Sequence, residues 1–265
     1  MSTELYRLPG RSILTLIGSD ARPLLQRVIT ADVEHLEPGQ CRPGALLTPQ
    51  GKIISDFMLF PREDGLVIDI AEQAAQALKK RLTMYKLKAD VEIAIDDSLA
   101  SLWAETAFDG AAKDPRLDHV FRSIGAPGDT SERALDAIEI AAGVPSFSRD
   151  YGEAEVFPTD VNLDVYGGIG WTKGCFIGQE VVSRMKRRGT IRKRSLAVSF
   201  ENSAPATGSD LKAGESTIGE ISSTSGRHAV SRVRLDRLEK SDSPVMADGR
   251  VAHIELPEAL KPETP

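Results

Sequence analysis

Apolar residues near the start of the chain follow two periods in succession. SILTLIG (12–18) reads as a strand, and ARPLLQRVI (21–29) sets Leu24, Leu25 and Val28 on one helical face, with Asp20 placed to cap that helix. In LLTPQGKIISDFMLF (46–60), Pro49-Gln50-Gly51 is a turn signal between a short strand and a longer one over 53–60. The tetrad Arg62-Glu63-Asp64-Gly65 then reverses the chain into GLVIDIA, which predicts an antiparallel meander. Across 73–85, Ala74, Leu78, Leu82 and Tyr85 form an amphipathic helical stripe leading into the strand ADVEIAI.

Residues 96–130 hold short apolar patches broken by DG, DP and GAPGD, with no clear period. A helix is predicted over 133–142, ended by Gly143 and Pro145. Ile177, Val181 and Met185 predict another over 177–188, with Gly189 as its stop. After Arg194 the texture changes to short alternating runs, including SLAVSFE, AVSRVRL and RVAHIEL, separated by Gly, Pro, Asn and Asp. That pattern predicts a small β-barrel or sandwich from about residue 195, and the whole reads as an α+β protein.

At 265 residues, two compact units or three small ones are expected. A mean hydropathy of -0.21 and 27% charged residues are ordinary for a globular chain. No apolar run reaches membrane-spanning length, and the N-terminus fits neither a secretory nor a transit signal, so a cytoplasmic location and no membrane partner are expected. The net charge of -6 conceals a basic segment. Residues 173–194 hold Lys173, Arg184, Lys186, Arg187, Arg188, Arg192, Lys193 and Arg194 against Glu180 alone. An anionic partner or a solvated helix face would each account for it.

Two cysteines, Cys41 and Cys175, and four scattered histidines, His35, His119, His228 and His253, have no metal-site spacing, so no metal ligand set is assigned. Two thiols also fall short of the four that usually hold an iron–sulfur cluster. Cys175, just ahead of the predicted 177–188 helix and two residues after Lys173, is placed for thiolate stabilisation by the helix N-terminus and a cation. On spacing alone, the commoner reading of a lone cysteine is a small buried hydrophobe. Cys41 lies in a loop beside Arg42 and reads as incidental. Asp160, Asn162 and Asp164 lack the glycine and final glutamate of an EF-hand, leaving a capping or pocket-wall role. Trp171 could stack on a flat heterocycle or belong to the core.

The eight residues KGCFIGQE (173–180) resemble the K-G-C-[aromatic]-x-G-Q-E signature of YgfZ-type folate-binding proteins. The resemblance extends through LLTPQGKIISDF (46–57), RLTMYKLKADVEI (81–93), DPRL (114–117), FPTDVNLD (157–164) and VVSRMKRRGTIRKR (181–194), and is weak over 96–150. It implies the fold of the glycine-cleavage T-protein: discontinuous α/β domains with antiparallel sheets around a central folate cavity, plus a small C-terminal β-barrel. The domains expected are 1–48 with 130–190, then 49–129, then 195–265. It further implies tetrahydrofolate, or a one-carbon derivative, as cofactor, and iron–sulfur client or assembly proteins, including tRNA-modifying enzymes, as partners.

Carried over residue by residue, the resemblance makes Cys175 the reactive or ligating thiol and Lys173 its electrostatic support. Gly174 and Gly178 would permit the turn and helix start, and Gln179 and Glu180 would orient the loop by hydrogen bonding. Asp160 and Trp171 would meet the pterin, and Arg184 the glutamate tail of folate or a partner. Asp160 is a departure, since relatives carry Glu in that context. Two other readings remain: a one-carbon transferase, whose carboxylate pattern beside the folate carbon is not found in residues 96–120, where Asp109 and Asp118 make unconvincing candidates, and a nucleic-acid-binding regulator. The latter ranks last, with 5% aromatic residues and no reading module.

Overall fold

A computed structural model describes residues 3–261 of the chain. They divide into two compact units, one of residues 3–134 with 166–181, the other of 135–165 with 182–261.

The first unit opens with strands β1 (Tyr6–Arg7) and β2 (Arg11–Ile17) and helix α1 (Ala21–Val28). The meander follows as β3 (Arg42–Leu47), β4 (Ile53–Arg62) and β5 (Gly65–Ala71), then α2 (Glu72–Lys86) and β6 (Glu92–Ile95). The stretch without a clear period supplies β7 (Ala100–Ala104), β8 (Ala112–Lys113), β9 (Phe121–Gly125) and β10 (Ser131–Glu132). Two five-stranded sheets result, β3-β4-β5-β2-β6 and β10-β1-β7-β9-β8, antiparallel except where β1 meets β10. Helices α1 and α2 pack on the first sheet, and its Ile13, Met58, Phe60 and Val67 cluster with Cys41 and Ala112. Every residue of β5 is buried, which explains why GLVIDIA is nearly all apolar.

The exception in β5 is Asp69. Its carboxylate, fully buried, accepts from Arg11 Nε at 2.6 Å, from Ser101 Oγ at 2.7 Å and from Arg122 Nη2. Arg122, on β9, also reaches Asp114, whose oxygens take Arg116 Nη2 at 2.7 Å and Arg116 Nε at 3.0 Å. This ionic chain joins the two sheets through the apolar layer and gives the DPRL segment a structural task. Burial works against the Asp69 carboxylate, but Arg11 and Arg122 outweigh it and hold it below its ordinary range.

The second unit contains α3 (Asp136–Ala141), a 3-10 turn over Pro158–Val161 and most of α4 (Gln179–Arg187). Its barrel follows as β11 (Lys193–Phe200), β12 (Asp210–Ala213), β13 (Ser216–Ser225) and β14 (His228–Arg234). A short helix α5 (Leu235–Leu238) precedes β15 (Val245–Ala247) and β16 (Arg250–Glu255). The six strands close in the order β11-β14-β13-β12-β15-β16, with β16 returning to β11. Leu196, Val198, Phe200, Leu211 and Ile218 fill its core.

The fold class and the barrel match the sequence reading, whereas three details differ. The expected break after residue 48 falls in the β3–β4 hairpin, whose strands pair in one sheet, so 3–48 and 49–129 share a unit. Residues 135–165 go with the barrel because the 3-10 segment is bonded to β11: Asn162 Nδ2 donates to Ser195 O at 2.5 Å and Ser195 Oγ to Asp160 O at 3.0 Å. Asp20 does not cap α1 with its side chain; its carboxylate instead accepts the Asp90 N–H at 2.7 Å.

Asp114 sets an acid limit on the first unit. Burial opposes its charge, but Arg116 and Arg122 lower it from 3.8 to about 2. A depressed carboxyl contributes stability that is present above the unfolded-state value and lost as pH falls through the folded one. Asp114→Asn should therefore lose about 3–5 kcal/mol at pH 7, the cost of leaving buried cations uncompensated. Its urea midpoint should also fall less steeply than that of the unsubstituted chain between pH 3.8 and about 2. Superimposable midpoint curves would rule the network out as a stabilising element.

Candidate functional site

The site is built on the connector that leaves α1. The Thr30 N–H donates to Ala45 O and Thr30 Oγ1 accepts the Ala45 N–H, each at 2.9 Å, so this residue is pinned to β3. Gln26 then braces the next residues, donating to Asp32 Oδ1 at 3.0 Å and accepting the Val33 N–H at 2.9 Å. Asp32 Oδ2 lies 2.7 Å from His35 Nδ1. Burial disfavours the Asp32 carboxylate, but His35 and Gln26 hold it below its ordinary range, and the same contact raises His35.

The loop carrying the cysteine is laced onto that connector. The Gly170 N–H donates to Thr30 O at 2.9 Å, and Lys173 Nζ donates to Ile29 O at 2.8 Å and Ala31 O at 2.6 Å. Three consecutive carbonyls are thus occupied. A side chain at residue 170 would place its Cβ 2.5 Å from Lys173 Cδ and 3.0 Å from Asp32 Cβ, so glycine is what lets the lysine stem lie across the backbone. The ammonium also stands 5.2 Å from the centre of the buried Phe176 ring. Burial lowers Lys173 to about 8 against the pull of Asp32 and Glu34.

On the other side of Cys175, Gly178 adopts φ +80°, and a Cβ there would meet Thr48 O at 2.6 Å. Gly51, in the β3–β4 turn with φ +79°, is also close-packed, though less severely, its Cβ position being 3.1 Å from Val181 Cβ and 3.4 Å from Gly178 O. The segments LLTPQGKIISDF and KGCFIGQE therefore meet backbone to backbone. Between the two anchorages Cys175 is exposed, and its thiol makes no hydrogen bond with the described residues.

Several sequence expectations change. Helix α4 begins at Gln179, because the turn at Ile177-Gly178 intervenes, so Cys175 is not at its first turn. Gly174 has open space around it and no left-handed backbone, so the crowding falls on Gly178 and Gly170 instead. Neither Gln179 nor Glu180 makes a side-chain hydrogen bond with the described residues, and Glu180 is exposed. Trp171 is half-buried. Cys41 is buried, its thiol pushed up to about 12 by that burial.

Asp160 and Arg184 belong to the second unit. Asp160 closes the 3-10 turn, accepting the Phe157 N–H at 3.0 Å, in keeping with a capping role. Beside it in sequence, Thr159 Oγ1 and Asn162 Oδ1 are buried polar atoms without a hydrogen-bond partner among the described residues. Arg184, Arg187 and Arg188 are exposed. Arg194 leaves the basic segment: it is buried, donates to Asp164 at 2.5 and 2.9 Å, and holds Thr159 O at 2.9 Å. Part of the sequence's positive charge is therefore internal and neutralised.

Sequence reasoning missed Gly170, the carbonyls of residues 29–31 and the Asp32–His35 pair. Carbonyls leave no trace in residue identity, and the need for an absent side chain at Gly170 shows only once Lys173 is seen lying across it. Among the described residues no group of three or more His, Cys, Asp or Glu side chains could hold a metal ion.

Comparison with known proteins gives three kinds of likeness. A family model described as the CAF17 C-terminal beta-barrel domain matches residues 192–262. The chain is 29% identical to the tRNA-modifying protein YgfZ of Vibrio vulnificus over 97% of its own length and 85% of that protein's. It is 28% identical to the mitochondrial iron–sulfur cluster assembly factor IBA57 of Homo sapiens, over 77% of the chain and 68% of the relative. The IBA57 homologue of Pyricularia oryzae matches at 28%, but the chain spans only 55% of that fungal protein. Among solved structures, the glycine cleavage system aminomethyltransferase T of Bartonella henselae superposes with a TM-score of 0.75 over 94% of the chain and 84% of its own, at 16% identity.

The glycine contact yields a direct test. Gly178→Ala combines a left-handed backbone with a 2.6 Å approach to a carbonyl oxygen, and should destabilise the chain by roughly 1–3 kcal/mol in a denaturant titration. Gly174→Ala, with nothing within 4 Å of its Cβ position, should stay within about 0.5 kcal/mol of the original. Equal losses at the two positions would contradict the packing described.

Proposed function

We propose that this chain, a YgfZ-type protein with a T-protein-like fold, binds a reduced folate and supports the assembly or repair of iron–sulfur enzymes through Cys175. The observation that carries the reading is the combination of an exposed thiol with a loop fixed on both sides, by Lys173 on residues 29–31 and by Gly178 on the β3–β4 turn. A merely structural cysteine has no need of such support, and in this chain Cys41 fills the buried role. One exposed thiol can supply a single ligand or a nucleophile, so cluster chemistry here is shared with a partner. Iron–sulfur proteins are the partners this implies, as the names of the IBA57 relatives also suggest. Enzymes that modify tRNA fall among the clients, in line with the name of the Vibrio relative.

For folate, the residues fit in kind. Asp160 and the unpartnered Asn162 Oδ1 offer acceptors, and Thr159 a hydroxyl, to the N–H-bearing edge of a pterin. The exposed Arg184, Arg187 and Arg188 suit the carboxylates of its glutamate tail. Bound tetrahydrofolate would supply a carrier for a one-carbon unit. No described helix is long and apolar enough to cross a membrane, and two free thiols suit a reducing compartment, the cytoplasm.

The T-protein-like fold favours one second reading, a one-carbon transferase, in which Cys175 is dispensable. The two separate on Cys175→Ala, tested by calorimetry with tetrahydrofolate and by the activity of a cluster-dependent tRNA-modifying enzyme in cells lacking the native protein. The expected result is folate affinity within about twofold of the original, under 0.5 kcal/mol, with rescue lost. Full rescue would return Cys175 to a structural role and leave the transferase.

A further inference from the structure

Lys173 is the residue of the cysteine loop whose surroundings differ most from the role its sequence position suggests. A cation two residues from a thiol should act by its field, yet the ammonium points at backbone. Its donors are committed to Ile29 O and Ala31 O, and its charge faces the Phe176 ring. Ile29 is the C-cap of α1, where helix carbonyls lack intrahelical donors and favour a cation. The charged groups that act on it are Asp32 and Glu34, both on the connector. The stem lies where a side chain on residue 170 would stand, and the Gly170 amide takes Thr30 O, the carbonyl between those the ammonium holds.

We propose that Lys173 is a positioning residue: it ties the 170–176 loop to the carbonyls of residues 29–31, and so sets where the Cys175 thiol stands rather than how readily that thiol ionises. The glycine at 170 is the other half of the device, because it makes room for the stem. Reach and hydrogen bonding are what position 173 requires. The proposal rests on the reading of Cys175 as the working thiol, but the tether is measurable without any cluster enzyme.

The test compares Lys173→Met, which removes the tether and its charge, with Gly170→Ala, which displaces the stem and leaves the charge. Amide hydrogen exchange at residue 170 should accelerate about tenfold or more in both, the effect of losing a charge-assisted hydrogen bond from a locally opening segment. The pH midpoint for alkylation of Cys175 by iodoacetamide should be the same in the two variants. A midpoint that rises in Lys173→Met alone, with the residue 170 amide still protected in both, would overturn the proposal and restore electrostatic support. Were Lys173→Met not to fold, Gly170→Ala decides by itself, since continued protection of its residue 170 amide would show that the stem needs no gap. Accelerated exchange with full rescue of the cluster enzyme would keep the tether and sink the functional reading of Cys175, so the two failures are distinct.

Discussion

The arrangement around Cys175 depends on backbone coming closer to backbone than a Cβ allows. At Gly178 the Thr48 carbonyl leaves no room for a side chain, and at Gly51, whose backbone is left-handed, a Cβ would press on Val181 Cβ at 3.1 Å. Close approach of this kind is rigid because it leaves no rotamer to adjust. It also unites two segments more than a hundred residues apart in sequence. The β3–β4 hairpin, at one edge of its five-stranded sheet, thereby becomes the bed on which the start of α4 and the end of the cysteine loop are laid.

Much of this architecture was legible in the residues, and what was not has an identifiable cause. GLVIDIA and SILTLIG announced themselves as strands because central strands are apolar on both faces, and the barrel was visible in its alternation after Arg194. The second sheet of the first unit was not, since β8 and β10 are two residues long and β7 and β9 five, too short to set a period. The unit boundary failed at residue 48 because a turn signal between strands looks the same whether the strands share a domain or not. Cys175 itself was found through the KGCFIGQE pattern and not through periodicity. What holds its loop, a run of carbonyls and an absent side chain at residue 170, has no composition to read.

Charge told a similar story. The basic segment looked uniform along the sequence, but Arg194 turns inward to Asp164, while Arg184, Arg187 and Arg188 face outward. In the other direction, Asp69, Asp114 and Arg122 gave no sign in the sequence of being buried, yet they form the polar join between two sheets. Net charge describes neither arrangement, because its effect depends on whether each group keeps its water.

The closed barrel has a consequence for how it can be recognised. An open sheet offers a free rim to which an extended peptide can add as one more strand. Here β16 already occupies that rim on β11, so the ring from Lys193 to Glu255 has no vacant backbone ladder to lend. A molecule that engages this half of the chain must read its side chains or its loops, and selectivity there can drift by surface substitution without disturbing the ring itself.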